Sequence, residues 1–197
     1  MKTRLMILGA ALAMAVSTSI AQTNSVPAGE IAQRKQNQQD RIANGIDSGQ
    51  LTAGETRNLE RREANLNRNE RRMRAADGGN LTAADRARLN RQENHISGKI
   101  YQDKHNARTA TYGKGEIGQR RENQQDRIAQ GIRSGQMTPG EASRQERREQ
   151  GLNREIAGMR QANGGTLTPG ERNLVNRQQN RQSRQIYREK HNARVGH

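Results

Sequence analysis

The sequence predicts an all-α protein made of two tandem copies of a three-helix unit, helix-turn-helix-turn-helix, closed on a thin coiled-coil-like apolar seam. Three observations carry this. The chain matches itself at an offset of 86 residues, apolar side chains recur at helical spacing on one narrow stripe, and the string G-x-[LM]-T-x-x-[ED] is written four times.

In chain order, residues 1–21 have the form of a cleavable export signal. Lys2 and Arg4 precede an apolar run from Leu5 to Val16, and Ser19 and Ala21 supply the small residues of a cleavage site. The run is shorter than the roughly 20 residues that span a bilayer, so a periplasmic or secreted protein is expected, with no stable membrane insertion after cleavage. Residues 22–28 form an N-terminal extension, 29–108 the first unit, 109–114 (TATYGK) a linker, and 115–197 the second unit. About 47 aligned positions are identical between the units.

Within the first unit, helices are expected near residues 30–47, 53–76 and 83–107. Ile31, Ile42 and Ile46 serve the first; Leu59, Leu66 and Met73 recur every seventh residue in the second; Leu89, Ile96 and Ile100 serve the third. Leu51 and Leu81 stand at the turns. The repeated string reads as a helix start. Thr52, Thr82, Thr138 and Thr168 take the N-cap position, with Glu55, Asp85, Glu141 and Glu171 three residues later to complete capping boxes. Pro139 and Pro169 fall at N1, where a missing N–H is harmless. The glycines before each motif suit the left-handed residue that closes the previous helix. Each unit ends on the same Lys-His-Asn-Ala-Arg, at 104–108 and 190–194, read as a helix end whose cations favour the negative pole of the dipole.

Composition narrows the function. Hydrophobic residues are 29% of the chain, and Phe, Trp and Cys are absent, which excludes disulfides, thiolate metal sites and a cysteine nucleophile. So thin an apolar complement leaves stability marginal, so either both units share one seam or the chain forms a homodimer. Lys and Arg number 35 against 20 acids; the formal +15, less the charges of Lys2 and Arg4, leaves +13 on the exported chain. The clusters Arg61, Arg62, Arg71, Arg72, Arg120, Arg121, Arg147 and Arg148 form a candidate polyanion contact. Tyr101, Tyr112 and Tyr187 are too sparse for a base-stacking platform, so sequence-specific nucleic-acid recognition is not expected.

The remaining chemistry is thin. Aligned on a calcium loop, the first turn places Asn44, Ile46 and Ser48 at ligand positions, so the turns are at most degenerate EF-hand-like ion sites. His95, His105, His191 and His197 lack ligand spacing beyond the loose pairs Asp103/His105 and Glu189/His191. Glu60 with Glu63, and Glu146 with Glu149, are carboxylates three apart on arginine-crowded helices and read as surface ion pairs. No catalytic set, cofactor motif or metal site is written, and a non-enzyme is expected.

The segments Leu51-Thr52-Glu55, Leu81-Thr82-Asp85, Met137-Thr138-Glu141 and Leu167-Thr168-Glu171 resemble the Leu-Thr-x-x-Gln motifs of the Spy and CpxP periplasmic stress proteins. The likeness implies thin helical hairpins that dimerise and act as ATP-independent chaperones or stress modulators. An acid stands here where that family has Gln, and the duplication is foreign to it. The whole unit, ending in Ser-x-x-Ile-Tyr-x-x-Lys-His-Asn, is more closely similar to a group of exported bacterial helical-repeat proteins, which implies a location but no activity. The sequence thus leads to an exported helical protein that binds other macromolecules, either protein clients in a chaperone-like role or polyanions such as extracellular DNA, lipopolysaccharide or acidic polysaccharide.

Overall fold

A computed structural model describes residues 28–194; the signal at 1–21, residues 22–27 of the extension and His197 lie outside the described residues. The described residues form six helices: α1 (Ala28–Asp47), α2 (Ala53–Ala76), α3 (Ala83–Lys104), α4 (Gly115–Arg133), α5 (Pro139–Ala162) and α6 (Pro169–Lys190). The described chain is all-α, and two three-helix units fit this order.

The turns are built as their sequence demands. At Thr52, Thr82, Thr138 and Thr168 the hydroxyl accepts the N–H of the acid three residues on, whose carboxylate accepts the threonine N–H in return. Gly49 and Gly135, each at φ 69°, reverse the chain between the first two helices of each unit. Leu51 then donates its N–H to the Gly45 carbonyl at 2.9 Å, as Met137 does to Gly131 at 2.9 Å.

Helix α3 stops at Lys104, short of the expected 107. Asn106 has left the helix, and its Nδ2 donates to Glu55 Oε1 at 2.8 Å; Asn192 does the same to Glu141 at 2.9 Å. The repeated Lys-His-Asn-Ala-Arg is therefore a tie from the end of the third helix to the capping box of the second. The arginine that closes it also approaches that carboxylate, Arg108 to Glu55 at 3.8 Å and Arg194 to Glu141 at 3.6 Å.

The most extensive helix contacts run between the units, α2 on α5 and α1 on α4. Helices α2 and α5 are antiparallel, since Ala53 shares a cleft with Asn153 and Ile156, and Asn67 one with Pro139; Arg57 Nη1 donates to Gln150 Oε1 at 3.0 Å, and Ser143 Oγ to the Arg57 carbonyl at 3.1 Å. Glu60 and Glu146 hold the same place in the two copies and act on each other across this contact, which marks a pseudo-two-fold axis. The main core joins Ile31, Ile42, Leu59, Leu89 and Ile100 of the first unit to Ile128, Ile132, Ala142 and Ile186 of the second. Leu152, Ile156, Leu167 and Val175, with Ile117 and Met159, form a smaller cluster in the second unit. The sharing of one seam by the two units, expected from the sequence, is present.

The linker is docked. Ala110 N–H donates to the Gly49 carbonyl at 2.8 Å, and Arg121 donates to the carbonyls of Tyr112 at 2.7 Å and Thr111 at 3.1 Å. Gly118 permits this, since a Cβ there would lie 2.1 Å from the Gly113 carbonyl oxygen; the first unit has Ala32 at the equivalent place.

Candidate functional site

Two arrangements stand out, a buried seam of carboxyl groups between the units and basic grooves on the outside. The seam corrects the sequence reading. Glu60, Glu63, Glu146 and Glu149 are not surface ion pairs: their exposures are 0%, 1%, 0% and 1%. Each helix of the α2–α5 pair has two working faces, and only one is apolar. The second, which carries Glu60 towards Glu146 of the other unit, is written in Thr56, Glu60, Glu63 and Asn67, so a search for apolar periodicity passes over it.

Burial raises the Glu60 carboxyl well above its usual range, and the charges of Glu63 and Glu146 add to it. Gln39 lies close enough to favour the charged form, but without hydrogen-bond geometry, and neither Glu60 oxygen has a partner among the described residues. Burial likewise lifts Glu146, together with the charge of Glu149, against a hydrogen bond from Gln125 Nε2 at 3.2 Å. Glu63 rises to about 8 by burial, opposed by Lys35. Glu149 rises to about 7 by burial, opposed by Arg121. Glu93, buried on α3 with Arg34 Nε at 3.2 Å, rises to about 7 from the same cause. Around neutral pH much of this seam is carboxylic acid rather than carboxylate.

The outside carries the opposite charge. A groove of about 480 Å³ runs between α2 and α3, lined by Arg62, Asn65, Leu66 and Asn69 from the first helix and Arg88, Arg91, Gln92, His95 and Ile96 from the second. Leu66 and Ile96 form its buried floor. Arg62 Nη1 lies 3.3 Å from His95 Nε2, and Asn69 Nδ2 donates to Gln92 Oε1 at 3.2 Å. Its lining contains no carboxylate. The equivalent groove of the second unit, about 420 Å³, has Arg148 and Arg181 but also Glu155, which accepts from Gln178 at 3.0 Å.

The residues singled out in the sequence separate on this surface. Arg61, Arg71, Arg72, Arg147 and Arg148 are exposed, and Arg62 is half-buried at the groove. Arg120 is half-buried and bonded to Asn180, while Arg121 is buried. Arg121 is thus corrected from a polyanion contact to the residue that fastens the linker, its guanidinium 5.7 Å from the Tyr112 ring centre. The four Thr/acid pairs lie at separate helix starts and are engaged in their capping boxes. His105 and His191 stack on Tyr101 and Tyr187, ring centres 4.2 and 4.1 Å apart. Among the described residues, no three His, Cys, Asp or Glu side chains are placed to hold a metal. Arg88 and Arg91 escaped the sequence reading because neither belongs to an Arg-Arg pair; only the packing of α3 on α2 sets them beside Arg62.

Comparison with known protein families, with curated proteins and with solved structures gives no match.

Proposed function

We propose that this is an exported, non-enzymatic protein that binds acidic polymers through an arginine-rich surface. One observation carries the proposal: the fold turns its acids inward and its arginines outward. Glu55, Glu60, Glu63, Glu93, Asp103, Glu141, Glu146 and Glu149 are buried, whereas among the described cations only Arg121 is. Eight of 20 acids are thereby withdrawn, so the exterior is more basic than the sequence balance of +13. Arg61, Arg71, Arg72, Arg88, Arg91 and Arg147 are exposed with no carboxylate within 4.0 Å among the described residues, leaving their guanidinium forks open to phosphate, sulfate or carboxylate.

A chaperone-like role needs apolar surface for clients. Among the described residues the exposed large apolar side chains are Tyr101 at 60% and Tyr187 at 57%, each covered on one side by a histidine, which favours the polyanion reading over client capture. No described helix is long and apolar enough to cross a membrane.

Salt tests the proposal. Binding of the chain from Gln22 onward to anionic polymer should weaken at least about 100-fold between roughly 50 and 500 mM salt, because each arginine contact releases counterions. Salt-independent binding, or suppression of client aggregation that persists at high salt without polymer binding, would sink it.

A further inference from the structure

We propose that the α2–α3 groove of the first unit is a discrete site for acidic sugar units, carboxylated or sulfated pyranose rings, and that its counterpart in the second unit is not. The inference rests on the polyanion reading and names the ligand class and the place.

Arg62, Arg88, Arg91 and His95 rim the groove from two helices, so an anionic group inside meets cations on both sides. Asp85 is an acid whose charge is felt by Arg88. It sits one turn before Arg88, with its carboxyl engaged by Thr82 and outside the groove lining. Between the cations lie neutral amides. The Asn69 to Gln92 hydrogen bond uses one donor and one acceptor, which leaves Asn69 Oδ1 and Gln92 Nε2 to meet sugar hydroxyls. The floor is aliphatic, with Leu66 at 1% and Ile96 at 4% exposure, a surface for the C–H face of a ring. A volume of about 480 Å³ suits two or three rings.

The lining contains no aromatic ring, so single-stranded nucleic acid would find its phosphates neutralised but its bases unstacked. The second unit supplies an internal control. Its groove replaces Asn69 by Glu155 and Ile96 by Gln182 and has Arg181 in place of His95; the counterparts of Arg88 and Arg91, Leu174 and Arg177, are outside its lining, and its Arg148 lies 3.9 Å from Glu189. A carboxylate inside the groove repels the ligand, and with Gln182 in place of Ile96 only Leu152 is left as aliphatic floor.

The test compares two double substitutions that remove equal charge. The chain from Gln22 onward, with Arg88→Gln/Arg91→Gln in the first unit or Arg177→Gln/Arg181→Gln in the second, is titrated with a hexameric uronic-acid oligosaccharide at about 0.15 M salt. A single-stranded oligonucleotide of the same charge serves as competitor. All four arginines are exposed and outside the core, and circular dichroism checks the fold of each variant. The first pair should weaken uronate binding about ten-fold or more, the second by less than about three-fold, with the oligonucleotide the poorer ligand. Equal losses in both variants would overturn the discrete site while leaving polyanion binding intact. Tighter binding of the oligonucleotide would overturn the sugar assignment. An unmodified chain that binds neither polymer at low salt would remove the polyanion reading as well.

Discussion

Glu60 and Glu146 belong to a set of buried carboxyls that shapes the pH response of the chain. Their carboxyls, with Glu63, Glu93 and Glu149, titrate higher in the folded protein than in the unfolded chain, where the usual value is 4.5. The folded state therefore holds more protons between about pH 4.5 and 8, and stability falls as pH rises through that window. For Glu63 alone the shift corresponds to a few kcal/mol, on the order of 1.4 per unit. In strong acid the effect reverses, because Glu141, Glu171 and Asp85 titrate below their usual values and are stabilising only while charged. Burial of Glu141 is outweighed by its bonds to Thr138, while the caps at Thr168 and Thr82 hold down Glu171 and Asp85. The melting temperature should peak near pH 5 and drop towards pH 8.5, and Glu60→Gln/Glu146→Gln should make the alkaline limb shallower, the rest of it staying with Glu63, Glu93 and Glu149. An unchanged profile in that variant would refute the assignment of part of the limb to the axis pair. A second prediction concerns the tie to the capping box: Asn106→Ala leaves Glu55 Oε1 without its amide donor and should cost about 1 kcal/mol in urea unfolding, with Asn192→Ala costing the same.

At the scale of elements, the linker illustrates how a duplicated sequence acquires an asymmetric part. The units differ by Ala32 against Gly118, and only glycine admits the Gly113 carbonyl at that spot. Gly118→Ala should expel the linker from its seat, cost about 1–3 kcal/mol as overpacking does, and accelerate hydrogen exchange at the Ala110 amide. Ala32→Gly, with only helix propensity lost, should cost about 1 kcal/mol and leave that amide protected. Equal exchange at Ala110 in both variants would mean that the contact does not hold the linker.

For the molecule as a whole, the shared core decides cooperativity. Leu59 and Ile100 pack in one cluster with Ile128 and Ile186, so the main core is complete only with both units, and the second unit by itself keeps only the smaller cluster around Leu152 and Val175. The chain from Gln22 onward should melt in a single transition, and a chain cut to residues 29–108 should show none in urea followed by circular dichroism. Two separated transitions, or a cut unit that melts cooperatively as a monomer, would show that the units are independent. The same interlocking contributes to the basic exterior, since Glu60 and Glu146 leave the surface at the α2–α5 contact, while Glu63 faces Lys35 and Glu149 accepts from Gln182 inside their own units.

Helices, turns and caps were legible from local chemistry: Thr52 with Glu55 is a capping box wherever it stands, and Leu59, Leu66 and Met73 share a face because 3.6 residues make a turn. The duplication and the charge excess were likewise written in the chain. What only the tertiary structure decided is which face of α2 meets the other unit. That face is polar, and Glu60 in a local stretch looks the same whether water or Glu146 lies opposite. Arg88 and Arg91 became part of a site for the same reason, because their meeting with Arg62 depends on the packing of α3 against α2 and on no pattern within either helix.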